Sequence, residues 1–147
     1  LKPPKYSYTE TPTGVWREFL YENGQLFREF RSHQTIGGRP LICIANGRNP
    51  ETGKMAVAEG IIAIGQRARG WLAIGQLATG VVAVGLFATG RVSALGQFVV
   101  APLGIGQFSI AVAAIGQFGI AGTGIFQSAI TLFGGIGQQV LDLSPFL

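Results

Sequence analysis

The chain has 147 residues, of which 48% are hydrophobic and 12% are charged, and its formal net charge is +4 at pH 7. That charged share is about half of the share in an ordinary soluble domain, and the length is that of about one domain. The basic residues do not cluster, so we expect no nucleic-acid partner. Cys43 and His33 are the only cysteine and histidine, which excludes an intrachain disulfide and a metal site built on thiolates.

The charged residues are concentrated in the first part of the chain. There are eleven basic and seven acidic residues, of which fourteen lie between Lys2 and Glu59 and none between Val92 and Leu141. This segregation separates a polar N-terminal part from an apolar repeat rich in glycine. It predicts four segments: an extended arm over 1–13, a cap region of β-hairpin and strand over 14–59, the repeat over 60–141, and a tail over 142–147.

No group of residues has the composition of a catalytic site. Five glutamates of the cap region lack a companion base or metal ligand and are expected on a solvated face; they are Glu18, Glu22, Glu29, Glu51 and Glu59. His33 lies between two polar residues, which predicts an exposed strand position. We therefore expect no enzyme, no cofactor and no metal.

The N-terminal elements begin with the arm, which contains three prolines and predicts an extended segment. The following stretch, "VWREFLYENGQLFREFRSH", predicts a β-hairpin with strands over 16–22 and 25–33. The two strands are joined by Asn23 and Gly24, a pair that favours the positive φ angles of a type I′ turn. The segment "YENGQLFREF" resembles the hairpin unit of MORN-type repeats, and this resemblance implies a hairpin module.

Next, "RPLICIANG" predicts a short buried strand and "RNPETGK" a loop rich in turn residues. A phosphate-binding P-loop has four residues between its first glycine and the Gly-Lys pair, followed by Ser or Thr. Here five residues separate Gly47 from Gly53, and Met55 follows Lys54. We expect a surface turn that joins two strands.

The remainder of the chain repeats an aliphatic-Gly-Gln triplet in eight tandem copies, two of them variants, spaced by ten residues with two single-residue insertions. A period this long and this regular marks a repeat architecture. The copies are Ile64-Gly65-Gln66, Ile74-Gly75-Gln76, Val84-Gly85-Leu86, Leu95-Gly96-Gln97, Ile105-Gly106-Gln107, Ile115-Gly116-Gln117, Ile125-Phe126-Gln127 and Ile136-Gly137-Gln138.

Two structures compete for this repeat. Residues 99–120 are uncharged and long enough for a transmembrane helix. However, ten residues of helix leave a drift of about 80° per copy, which would carry equivalent glutamines around into the lipid. The abundance of Val, Ile and Phe with regular glycine favours short strands and tight bends.

We therefore predict an all-β fold: a β-solenoid of about ten residues per coil, preceded by the hairpin region. Equivalent residues would stack about 4.7–4.9 Å apart, and glycine would permit the bends through positive φ and close backbone approach. A column of small residues would point inward, namely Ala63, Ala68, Ala73, Ala78, Ala83 and Ala88. A glutamine ladder sharing amide hydrogen bonds would line one bend, formed by Gln66, Gln76, Gln97, Gln107, Gln117, Gln127 and Gln138.

The pattern of "WLAIGQLATG" resembles the ten-residue coils of midge antifreeze proteins, with alanine in place of their disulfide-bonded cysteines. Residues 39–140 also resemble a group of uncharacterised bacterial proteins with Ala-Ile-Gly decads, which carries no activity to transfer. Five-residue periodicity is shared with pentapeptide-repeat proteins, whose coils have twenty residues, although their Ala-Asp/Asn-Leu signature is absent. A ten-residue coil is preferred here over a twenty-residue coil, and both stay open.

A ten-residue coil has an interior of Ala and Gly only, so its larger side chains must point outward and create unusual apolar surface. The expected assembly residues are Phe87, Phe98, Phe108, Phe118, Ile105, Ile110, Ile115 and Ile120. We expect a structural protein that associates with copies of itself in a filament, fibre or surface layer, extracellular or at the cell surface. The alternatives are a membrane partner for the apolar faces, or ice binding through Thr79 and Thr89.

Overall fold

The computed structural model describes residues 4–147 of the chain, and in them the protein is all-β, as predicted. The chain divides into two compact units, the first ending at Leu77 and the second comprising Ala78–Leu147. Besides the strands, the described residues form one short 3-10 helix, Ser144–Phe146. No helix in this part of the chain is long and apolar enough to cross a membrane. Residues 99–120 lie within a β-strand, so the helix considered there is wrong.

The first unit begins with an antiparallel sheet built on the predicted hairpin. β2 (Gly14–Leu20) pairs with β3 (Leu26–Ser32), in the register Trp16↔Phe30. The outer partner of β2 is β1 (Ser7–Glu10), which lies within the segment predicted as an arm. The arm therefore forms a sheet strand only from Ser7 to Glu10, and residues 1–3 lie outside the described part.

The turn of this hairpin differs from the predicted type I′ turn. Gly24 has φ +84°, but among residues 4–147 no residue other than glycine has a positive φ, so Asn23 does not. The Gly24 N–H donates to the Tyr21 carbonyl over 3.0 Å, and the Asn23 side-chain oxygen accepts from the Gln25 N–H. This is the pattern of a type I turn followed by a left-handed glycine.

A second hairpin was not predicted. β4 (Thr35–Ile36) pairs with β5 (Arg39–Pro40), and the turn between them consists of Gly37 and Gly38. Their φ angles are +59° and +78°, as a type I′ turn requires at both central positions. The Gly-Gly pair is the sequence signal that could have located it.

The strand predicted from "RPLICIANG" connects the hairpin to the repeat. β6 (Ile42–Asn46) pairs antiparallel with β3 on one side and parallel with the beginning of β7 (Val57–Thr131) on the other. The loop between β6 and β7 is a surface turn, as predicted, in which the Asn49 side chain accepts the Glu51 N–H over 2.9 Å. The hairpin sheet thus covers the edge of the first repeat copy.

β7 spans 75 residues but does not run straight. A Cβ atom built on Gly75 would overlap the carbonyl oxygen of Gly65, ten residues earlier, and the same holds for Gly116 against Gly106. Backbone positions one decad apart are therefore neighbours within each unit. β8 (Gly135–Asp142) pairs parallel with the end of β7 at an offset of eleven residues, Ile125↔Ile136, which matches the second insertion.

Of the two reasons given for the repeat glycines, these overlaps bear out close backbone approach, and the backbone angles rule out positive φ. Within the described chain, positive φ occurs only at Gly24, Gly37, Gly38, Gly47, Gly53 and Gly134, and all six lie outside the triplets. The triplet glycines that overlap an earlier carbonyl have ordinary φ. They are glycine because any Cβ would collide with the backbone one decad before.

The inward column is confirmed, because all six predicted alanines are buried. The interior is nevertheless not made of Ala and Gly alone, since Val99, Ser109 and Phe126 are buried as well. Phe126 stands where other triplets have glycine, and its ring fills the space beside two glycines. A Cβ on Gly119 or Gly124 would lie 2.5 or 2.6 Å from that ring.

The thin interior predicts a strong asymmetry between inward and outward substitutions. Ala83 is fully buried, so Ala83→Leu should lower the free energy of unfolding by roughly 1–3 kcal/mol or more through overpacking. Thr79→Leu adds a leucine at an exposed position of the same unit and should change the free energy of unfolding little. Thermal and urea denaturation measure both, and equal losses at the two sites would contradict the inward assignment.

Candidate assembly surface

Four phenylalanines of the second unit form a continuous stack of rings. Centroids of Phe87, Phe98, Phe108 and Phe118 follow one another at 4.9, 5.0 and 5.4 Å, with interplanar angles of 7°, 7° and 17°. This separation is close to the distance between adjacent strands, so the rings follow the backbone spacing. Each ring remains 44–52% exposed, which leaves a row of aromatic surface without a partner.

A second apolar column runs beside the rings, two residues further along the chain. It consists of Val100, Ile110, Ile120 and Ile130, all exposed. The two columns border an open groove of about 780 Å³, whose lining also includes the buried Val99 and Ser109. Five of the phenylalanines and isoleucines predicted as assembly residues line this groove, and Phe87 lies next to it in the stack.

The other predicted assembly residues, Ile105 and Ile115, line a separate groove. It has a volume of about 560 Å³ and is also bordered by Leu95 and Ile125, with Gly104 and Ala114 in its lining. The eight predicted residues are therefore exposed, but the structure distributes them over two surfaces.

No charged residue lines either groove. In the first unit the repeat instead carries the exposed Arg67 and Arg69, and the Arg69 guanidinium lies 3.5 Å from the Glu59 carboxylate. A partner surface could thus cover the grooves of the second unit without desolvating any ion.

The predicted glutamine ladder lies largely in solvent. Six of its seven members are exposed, and Gln66 is half-buried with its side-chain oxygen unpartnered. In residues 4–147 no hydrogen bond joins these seven amides to one another. Gln139, which lies beside the ladder but is not part of it, accepts a hydrogen bond from the Ser128 hydroxyl over 3.5 Å. Exposed amides can bond to water, so the column does not need a shared amide network.

The interior contains two buried hydroxyls without a hydrogen-bond partner, those of Ser109 and Thr131. Burying a hydroxyl without a hydrogen bond costs about 1–3 kcal/mol. Ser109 stands in the column otherwise occupied by small apolar residues, which makes its hydroxyl a local cost to stability.

Ser109→Ala should therefore raise the free energy of unfolding by about 1 kcal/mol, because it removes the unpartnered hydroxyl and leaves the small volume in place. Ser128→Ala is the matched change at a serine that has a partner, and it should be neutral or mildly destabilising. Urea denaturation compares the two, and a clear loss of stability in Ser109→Ala would contradict the assignment.

A network of polar residues in the first unit holds Tyr6, just before β1, against the hairpin. Glu29, which was expected on a solvated face, is instead buried: it accepts a hydrogen bond from Arg17 over 3.1 Å, and its Oε1 lies 3.0 Å from the Arg31 Nε as an ion pair. The Arg17 guanidinium lies 4.4 Å from the centre of the Tyr6 ring, and the Tyr6 hydroxyl donates to the Glu51 carboxylate over 3.0 Å. Burial, followed by this hydrogen bond and the carboxylate charge, raises the pKa of Tyr6 to about 12.

This pKa gives a test in alkaline solution. Because the folded pKa of Tyr6 lies above its ordinary value of 10.0, its contribution to stability is present below pH 10 and is lost as the pH rises toward 12. An ultraviolet titration should show one tyrosine proton released near pH 12, and Tyr6→Phe should abolish that step. Tyr8→Phe is the control, and a late step surviving in Tyr6→Phe would contradict the assignment.

The remaining chemistry-bearing residues are dispersed. In residues 4–147 no three or more His, Cys, Asp or Glu side chains lie where they could share a metal ion. Cys43 is buried, and burial raises the pKa of its thiol, while His33 is exposed with its Nε2 3.2 Å from the Thr11 carbonyl. Comparison with protein-family models, curated proteins and solved structures finds no match to this chain. Function is therefore inferred from the surface chemistry itself.

Proposed function

We propose that the protein is a non-catalytic structural subunit whose repeat is a β-solenoid of about ten residues per coil. In this proposal, copies associate through the groove beside the phenylalanine stack and build a filament, fibre or surface layer. The observation that carries the proposal is the half-exposed ring stack, continued by an equally exposed aliphatic column with no charge in either.

The ten-residue coil is supported by two kinds of distance. Rings ten or eleven residues apart lie one strand spacing from each other. Backbone atoms one decad apart are in contact, as Gly106 is with the Gly96 carbonyl, where an added Cβ would lie 2.5 Å away. A twenty-residue square coil would bring residues twenty apart into these positions, so the spacing favours the shorter coil.

The area of the surface is adequate for a stable contact. A fully buried phenylalanine covers roughly 150–250 Å², so the four half-exposed rings present roughly 300–500 Å² per copy, and the four exposed aliphatic side chains of the second column add to this. A standard protein interface buries about 800 Å² per partner. Each buried phenylalanine contributes roughly 1.5–3 kcal/mol, from which the cost of ordering the partners must be subtracted.

A second copy is the favoured partner because it has the same repeat. Its ridges have the strand spacing of the groove, so two such faces interdigitate along their whole length, as dry sheet interfaces do. An unrelated partner would need an equally regular apolar surface. By the same argument, the groove at Ile105 and Ile115 can make a second lateral contact with another copy. A growing layer needs such a second contact.

Phe108→Glu tests this proposal. It places an unpaired carboxylate in the middle of the stack, which should reduce large assemblies to small soluble species while the circular dichroism spectrum stays that of the wild type. Size-exclusion chromatography with light scattering measures the masses in detergent-free buffer, and Thr79→Glu is the control. A wild type that is a monodisperse monomer in this buffer would contradict the proposal.

A membrane partner is the second candidate, and the charges of the repeat favour it. Between residues 60 and 141 the charged residues are Arg67, Arg69 and Arg91, and Trp71 is 63% exposed. Arginine and tryptophan are suited to the interface of an anionic bilayer. Co-sedimentation with vesicles containing anionic lipid, without fibres in electron micrographs, would favour this candidate over self-assembly.

Ice binding has the least support. It needs a regular array of hydroxyls, and only Thr79 and Thr89 stand in register on the repeat. A thermal-hysteresis assay of the purified protein tests it.

A further inference from the structure

The two outermost strands differ in how they are protected against pairing with another chain. β1 has four residues, ends in Glu10 and is followed closely by Pro12. Short length, charge and a nearby proline are the devices by which natural proteins prevent edge pairing. The free edge of β1 is therefore a poor acceptor for another strand.

β8 has none of these protections along its length. It has eight residues, contains no proline or lysine, and its one charge is Asp142 at its last position. In the described residues β8 pairs with β7 on one side, and no strand pairs with its other edge. Exposed apolar side chains lie on β8 and in the turn before it, with Phe133 and Ile136 at 73% and Leu141 at 58%.

The direction of the backbone groups can be assigned near the end of β8. The Leu143 N–H donates to the Thr131 carbonyl over 2.8 Å, so it points toward β7. Backbone groups alternate in direction along a strand. The N–H groups of Asp142 and Val140 therefore point toward the free edge, where nothing in the described chain accepts them.

We propose that the free edge of β8 pairs antiparallel with β8 of a second copy across a two-fold axis. A head-to-tail arrangement would need an open edge at the hairpin, and β1 is protected. The antiparallel arrangement also places the two Asp142 carboxylates at opposite ends of the pair, whereas parallel pairing would place like charges side by side. An isologous contact of this kind closes on itself, so it yields dimers, and further growth must use the grooves.

The edge contact uses the backbone of β8, whereas the groove contact uses side chains, three of which (Gln139, Val140 and Leu141) come from β8 itself. The β8 edge is therefore tested in the Phe108→Glu background, where the groove contact is already broken. Phe108→Glu should stop growth through the groove and leave dimers. Adding Val140→Pro removes an outward N–H without removing a bond to β7 and should convert these dimers into monomers. Val140→Ala is the matched control, because it trims the same side chain but keeps the N–H, and its double variant should remain dimeric.

Light scattering after size-exclusion chromatography distinguishes the outcomes, with circular dichroism to verify folding. Monomeric Phe108→Glu, or a folded Phe108→Glu/Val140→Pro variant that stays dimeric, would overturn the β8 proposal. A wild type whose mass is that of a dimer and equals that of Phe108→Glu would overturn the groove proposal and leave the β8 pair standing.

A second measurement covers the case in which Val140→Pro does not fold. In an antiparallel pair of identical strands, one position lies opposite its own counterpart. Single cysteines at Ile136, Gln138, Gln139, Val140 and Leu141, in a Cys43→Ala/Phe108→Glu background that breaks the groove contact, should therefore give a disulfide-linked dimer at one position or two neighbouring ones. Gln117→Cys, in the middle of the repeat, should not, and failure of all five positions to cross-link would overturn the proposal.

Discussion

The structure of the repeat depends on how closely successive decads approach each other at the triplet glycines. At Gly75 and Gly116 a single Cβ would occupy the place of a carbonyl oxygen ten residues earlier. Because the backbone is this close, identical residues of neighbouring decads lie one strand spacing apart. The stacking of Phe98 on Phe108 at 5.0 Å is a direct consequence, and so is the narrow interior that Ala83 fills.

That narrow interior determines the surface chemistry. A column that accepts alanine cannot accept leucine or phenylalanine, so most of the large apolar side chains of the repeat face outward. A soluble monomer does not usually expose a contiguous apolar area of this size. The chain therefore gains little hydrophobic stabilisation inside each copy and retains an unusual capacity for it between copies. The polar first unit, with its Arg17–Glu29 pair and the hydrogen bond of Tyr6, is built in the opposite way.

The proposed faces and the proposed edge have different physical roles. Contact through the grooves buries side chains and can repeat without limit, because each copy has two apolar surfaces. Contact through β8 pairs backbone groups and is limited to two copies, because the hairpin side of the protein has the short, charged β1 at its edge. Together they would give a layer of dimers, in which Phe108→Glu breaks the groove contact and leaves the backbone edge of β8 in place.

The sequence alone determined the all-β class, the hairpin around Asn23, and the burial of the alanine column, because each depends on a local signal or a strict period. It allowed for close backbone approach at the triplet glycines but also gave them positive φ, which they do not have; that the approach is to a carbonyl ten residues away was decided only once the chain had folded back. It also did not place Phe126 inside, because that ring is accommodated by the space beside Gly119 and Gly124. The unpaired edge of β8 was likewise decided by tertiary structure, because a period gives the spacing of residues and not which copies of the backbone meet.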